Sequence, residues 1–233
     1  MKKKIRKTAE LAWVLAIILL SLSVALCANS GFGVSMVVAP AYVLHLKLVE
    51  YLPWFTFGTA EYVLQGVLLI VCCIIMKRFK WKYLLSLGTA AIYGLCVDGW
   101  RLLLGTEVYS LMWQRWAALF GGMVICGFSI ALFLRTYLPQ EAYDILVKEI
   151  YEKTNGSLTK IKWCYDICSL LLAIILMLVL FGKFSFDMIG IGTLIVTVIN
   201  TPLITLSGKI VERFMEFDSA FPSFYEKFQK RFN

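Results

Sequence analysis

Gly31-Phe32-Gly33-Val34-Ser35-Met36 and Gly127-Phe128-Ser129-Ile130-Ala131-Leu132 match in character at every position. Each is soon followed by a proline and an Ala-Tyr pair, Pro40 with Ala41-Tyr42 and Pro139 with Ala142-Tyr143. Lys47 and Lys148 then align, and Leu87-Gly88-Thr89 resembles Ile191-Gly192-Thr193. The offsets are 96, 101 and 104, so only small insertions separate the two copies. The chain reads as one unit written twice.

Hydropathy says what that unit is. The sequence is 60% apolar and only 16% charged, where a soluble domain carries about 25% charge. The apolar residues fall into six runs, each of about 20 residues, the length that crosses a hydrocarbon core. They cover roughly Ala9–Val38, Pro53–Met76, Tyr83–Leu104, Trp113–Leu134, Ile161–Leu180 and Met188–Gly208. In lipid each run must satisfy its own backbone groups, so these are helices. Each copy holds three spans. An odd number makes the second copy enter from the opposite face, which gives an inverted-topology repeat. The expected fold is an all-α polytopic membrane protein with six transmembrane helices in two three-helix repeats, plus interfacial amphipathic helices. Residues 1–233 form a single membrane domain, with repeat one at about 7–105, repeat two at about 113–210 and an amphipathic tail at 211–233.

Charge orients the spans. Nineteen of the 23 Lys and Arg residues fall on one side of this map; Lys47, Arg101, Arg115 and Lys183 fall on the other. The positive-inside rule places both termini in the cytoplasm, at the plasma membrane. The basic opening Met1-Lys-Lys-Lys-Ile-Arg-Lys resembles that of a signal peptide, but Leu26-Cys27-Ala28 is a poor cleavage site and the repeat needs this span. The net charge of +8 sits at span ends rather than on a soluble basic face, which argues for lipid and against nucleic acid. Between spans four and five, Leu138 to Asn155 reads as an amphipathic helix along the inner surface, and Glu212 to Asn233 as a surface helix broken at Pro222.

The Gly31–Pro40 and Gly127–Asp144 segments, with Gly190-Ile191-Gly192-Thr193 leading to Asn200-Thr201-Pro202, resemble the YczE/YitT-like group of small bacterial membrane proteins, nearer the YczE branch. The resemblance covers nearly the whole chain. It implies this fold and a membrane location, and it carries no assigned chemistry. The YitT branch usually adds a soluble C-terminal domain, and residues 1–233 read as a membrane domain alone, which is the expectation for the YczE branch.

Polar groups inside spans point to function, because a charge at the bilayer centre costs about 2.5–3.5 kcal/mol on insertion scales. Glu61 lies about two turns into span two, with Gln65 a turn further, and Asp166 lies near the start of span five. Asp98 precedes Arg101 by one turn and reads either as a site residue or as its ion-pair partner. Asn200 lies deep in span six before Pro202, and Ser35 belongs to the first repeated motif. Glu61, Gln65, Asp98, Asp166, Asn200 and Ser35 are the candidate substrate-binding residues. His45 is the one histidine and reads as an exposed interfacial side chain. That excludes a multi-histidine metal site or a His-based triad elsewhere, and no phosphate-cradling Gly-x-x-x-x-Gly-Lys is present. The seven cysteines read as small buried hydrophobes.

The sequence therefore points to a small-molecule or ion transporter, not an enzyme, with no cofactor and no metal. Its partners would be the bilayer and a small polar molecule or ion, with a homo-oligomer or an energising partner also compatible. The alternatives are a membrane-embedded binding subunit of a multi-component transporter and a non-transport accessory or scaffold protein.

Overall fold

The computed structural model describes residues 5–154 and 157–218. Eight helices run among them: α1 (Ala9–Ser30), α2 (Ala39–Leu48), α3 (Phe57–Met76), α4 (Trp81–Leu104), α5 (Met112–Phe133), α6 (Ala142–Thr154), α7 (Leu158–Phe181) and α8 (Ile191–Phe214). Six of them, all but α2 and α6, are long and apolar enough to cross a bilayer. The chain is a polytopic membrane protein, and the exposed Leu102, Val179 and Ile74 on its outer faces meet lipid. Two short strands, β1 (Ile5–Thr8) and β2 (Met215–Asp218), pair in parallel and join the start of α1 to the end of α8. The all-helical reading did not include this pair. It lies at the basic end of the bundle, with the lysine-rich α3–α4 turn.

α1 and α5 are the most buried spans and pack along each other. α4 flanks α1, and α8 flanks α5. α3 lies along α4 so closely that a Cβ at Gly58 would overlap the carbonyl of Gly94, and one at Gly94 would overlap the carbonyl of Gly58. Glycine is what lets these backbones meet. α7 and α8 share no comparable contact among the described residues. Two further packings cross between the halves of the chain: α2 lies on α7, and α6 lies on α3.

Span one is shorter than its hydropathy suggests. Hydropathy alone carries it to Val38, but α1 ends at Ser30, where Gly31 takes φ 63° and Gly33 takes φ 96°. A side chain there would be strained. The Phe32 carbonyl accepts from Gly192 N–H at 2.9 Å, at the start of α8. Residues 34–38 then turn back into the bundle and lead to α2, an element missing from the sequence reading.

His45, expected to be exposed, is buried on α2. Its Nδ1 lies 3.0 Å from the Phe55 carbonyl, and its ring stacks on Phe57 at 5.8 Å. Burial pushes its pKa below the usual histidine value, opposed by the Phe55 contact.

The amphipathic helix after Pro139 is present as α6, but it is built into the bundle and does not lie along the surface. Ala142, Tyr143, Ile145, Leu146 and Val147 bury against α3, α4 and α7. Near its end Glu149, 1% exposed, is held by Lys80 at 2.6 Å, Lys82 at 2.8 Å and Arg78 at 3.4 Å. Burial alone would raise the pKa of that carboxyl, but the Lys80 and Lys82 contacts outweigh it and bring it down to about 2. α8 continues through Pro202 to Phe214, beyond the expected end of span six. The expected tail helix gives way to β2, and its part from residue 219 onward lies outside the described residues.

Candidate functional site

The two re-entering turns, 31–38 and 134–141, approach each other inside the bundle. Each ends in a short helix. The Ser35 carbonyl accepts from Val38 N–H at 3.1 Å and Ala39 N–H at 2.9 Å, which satisfies the start of α2. The second turn is tied by other helices. Trp13 of α1 donates to the Pro139 carbonyl at 3.1 Å, and Thr89 of α4 donates to the same oxygen at 3.2 Å. Ser86 donates to the Gln140 carbonyl at 2.8 Å.

α6 starts at mid-bundle. Ala142 N–H donates to Gln65 Oε1 of α3 at 3.2 Å, and Tyr143 O–H donates to Glu61 Oε2 at 2.6 Å. It finishes at the basic end, where Lys153 donates to the Ile75 carbonyl at 2.7 Å. α2 runs the other way, and in its last turn Lys47 meets Glu50, which lies just beyond the helix, at 2.8 Å. Two half-helices therefore diverge from one central point toward opposite ends of the bundle.

A cavity of about 90 Å³ lies at that point. Ser35 and Val38 line it from the first turn, Glu141 from the second, Tyr93 from α4, Cys126 and Phe133 from α5, and Asn200 from α8. Tyr143 and Asp144 of α6 and Lys162 and Tyr165 of α7 complete it. Asp144 is exposed, and the Lys162 side chain is 43% exposed, so the cavity opens beside them, toward the basic end. Glu141 is only 8% exposed, and its Oε1 has no hydrogen-bond partner; Asn200 Oδ1 has none either.

The residues singled out in the sequence divide into three groups. Ser35 and Asn200 line the cavity. Glu61 and Gln65 sit one layer behind it, fully buried, and hold α6 in place. Asp166 and Asp98 stand aside. Asp166 lies 3.6 Å from Lys162, one turn away on α7. Asp98 does not pair with Arg101: it accepts from Gly58 N–H at 2.8 Å and from the Thr56 hydroxyl at 2.5 Å, and so caps α3. Arg101 instead donates to Asn29 Oδ1 at 3.0 Å and to the Thr106 carbonyl at 2.9 Å.

Glu141, Asp144 and Tyr143 escaped notice because they flank a loop and carry no intramembrane signature. One signal was available. Between Pro139 and the Ala142-Tyr143 pair the second copy carries two extra residues, Gln140-Glu141, where Pro40 runs directly into Ala41-Tyr42.

Residues 7–209 match the family described as "Family of unknown function (DUF6198)", and the chain belongs to that family. It is also similar to a Bacillus subtilis (strain 168) protein described as "Uncharacterized protein YyaS": the two are 30% identical over 200 residues, 85% of this chain and 92% of that one. No solved structure matches.

Proposed function

We propose that this member of the family is a transporter of a small molecule or ion, not an enzyme, with its site at the interface of two inverted repeats. The observation that carries the reading is Glu141: a carboxylate 8% exposed, with an unpartnered oxygen, facing a cavity inside a membrane bundle. An ionisable group kept in such a place marks a substrate or ion pathway.

The packing supports the repeat. Exchanging α1–α4 for α5–α8 turns the α1/α4 contact into α5/α8, α2/α3 into α6/α7, and α2/α7 into α6/α3, and all six contacts are present. Discontinuous helices that begin at a central site are the usual construction of inverted-repeat transporters. Two contacts break the symmetry: α4 packs on α6 while α8 and α2 share no comparable contact among the described residues, and α3/α4 has no α7/α8 counterpart. α3 and α4 are sealed together at Gly58 and Gly94, while α7 and α8 are not. That difference fits a state closed at one end and open at the other. The positive-inside rule puts the basic end, both termini and the cavity mouth in the cytoplasm, at the plasma membrane. Rocking of one triplet against the other would exchange the openings. The resemblance of the Gly31–Pro40 and Gly127–Asp144 segments to the YczE/YitT-like group fits the membrane fold on which this reading rests.

The test uses the full chain with its seven native cysteines replaced, carrying Ser35→Cys or Asn200→Cys in oriented vesicles. A membrane-impermeant thiol reagent should modify both positions from the basic face, and a slower fraction from the opposite face. Two cysteines inert from both faces would remove the transport reading.

A further inference from the structure

We propose that the central cavity binds a small organic ammonium ion, held by Glu141 and Asp144 among the rings of Tyr93, Tyr143 and Phe133. The proposal rests on the reading of the cavity as a substrate site and names the class of substrate.

The unused hydrogen-bonding capacity decides the sign of the ligand. Glu141 and Asn200 both line the cavity, and Glu141 Oε1 and Asn200 Oδ1 are buried without a partner. Several of the donors beside it are already taken. Val38 and Ala39 N–H are taken by the Ser35 carbonyl, Ala142 N–H by Gln65, and the Tyr143 hydroxyl by Glu61. Helix starts favour an anion; here Val38, Ala39 and Ala142 N–H are already bonded within the protein. The unpaired carboxyl oxygen of Glu141 is an acceptor, and a ligand that brings donors or positive charge is the one that matches it. Glu141 is the independent mark of a site, since it is more than nine-tenths buried and lines the cavity unpaired.

The surroundings then select an organic cation over a metal ion. Among the described residues no three His, Cys, Asp or Glu side chains converge to hold a metal, and hard cations take about six oxygen ligands. The cavity wall is aromatic instead, with Tyr93, Tyr143, Tyr165 and Phe133. Rings beside a carboxylate are how alkylammonium groups are recognised. The volume of about 90 Å³ admits on the order of six water-sized groups, which suits a head of a few heavy atoms. Lys162 at the mouth lies 3.6 Å from Asp166, so its charge is met on its own helix.

The test is a titration of the purified full-length protein in lipid nanodiscs, followed by intrinsic fluorescence and melting temperature. The probes are methylammonium, tetramethylammonium and choline chlorides, set against sodium chloride, potassium chloride and sodium acetate at equal ionic strength. At least one ammonium probe should act saturably in the millimolar range or below. Glu141→Gln should weaken it by at least about tenfold. Asn200→Asp, which adds a carboxylate at the wall, should strengthen it by about tenfold, a gain that misfolding cannot produce. Glu149→Gln, remote from the cavity, should leave it unchanged. The proposal is overturned if acetate is preferred, if sodium or potassium acts as well as the ammonium probes, if no probe acts, or if both cavity variants bind like the parent. Should the Ser35 and Asn200 cysteines be labelled while no ammonium probe acts, the ligand class falls and the accessible site stands.

Discussion

Tyr143 O–H donates to Glu61 Oε2 at 2.6 Å, joining α6 to α3 with both side chains buried. The bond crosses from the second half of the chain to the first, and it positions the half-helix that borders the cavity. Tyr143→Phe strands a buried carboxylate, which costs about 1–3 kcal/mol. The melting temperature in nanodiscs should fall accordingly. The double variant Tyr143→Phe with Glu61→Leu should lose less than the sum of the two single changes; strict additivity would mean that the residues do not support each other.

The Gly58–Gly94 contact sets the spacing of α3 and α4. Gly94→Ala should destabilise the protein by about 1–3 kcal/mol, because the added methyl meets backbone that cannot yield. Gly88, also on α4, has nothing within 4 Å of its Cβ position. Gly88→Ala should be neutral or stabilising by up to about 1 kcal/mol through helix propensity. Paired thermal melts decide the matter; equal losses at the two positions would refute the close-approach assignment.

Glu149 ties α6 to the α3–α4 turn through Lys80, Lys82 and Arg78. Glu149→Gln should cost roughly 1–3 kcal/mol, moderated by the water that reaches the cations. The folded pKa is about 2, below the unfolded value of about 4.3. The contribution is therefore whole above about pH 4.3 and is lost as pH falls toward 2. Melting temperatures across that window should drop more steeply for the parent than for the variant.

His45 carries a second pH dependence. Its folded pKa is depressed by burial, so its neutral form is the one the fold favours. Stability is full above the unfolded value of about 6.5 and declines as pH falls through the folded pKa. His45→Gln should flatten the decline in melting temperature as pH falls below about 6.5. A slope that survives the substitution would assign the effect to another group.

What a single segment decides could be read from the chain alone. Hydropathy is nearly additive along a helix, so the six spans came from local runs, and the lysine asymmetry came from counting. The re-entering turns were not legible: Gly31 and Gly33 sat inside an apolar run that reads as span one, and Gly127 of the matching motif is helical in α5. Which side chains converge was settled by the rotation and tilt of packed helices, and these are non-local. Asp98 had Arg101 one turn away, yet it caps α3 from across the interface. Glu149 lay on an apolar stripe that implied a lipid surface, and three cations distant in sequence made its burial tolerable. Glu141 gave no sign in its loop beyond the two-residue insertion Gln140-Glu141. Only when α6 was drawn into the bundle, by Gln65 and Glu61 from another helix, did that carboxylate face a cavity.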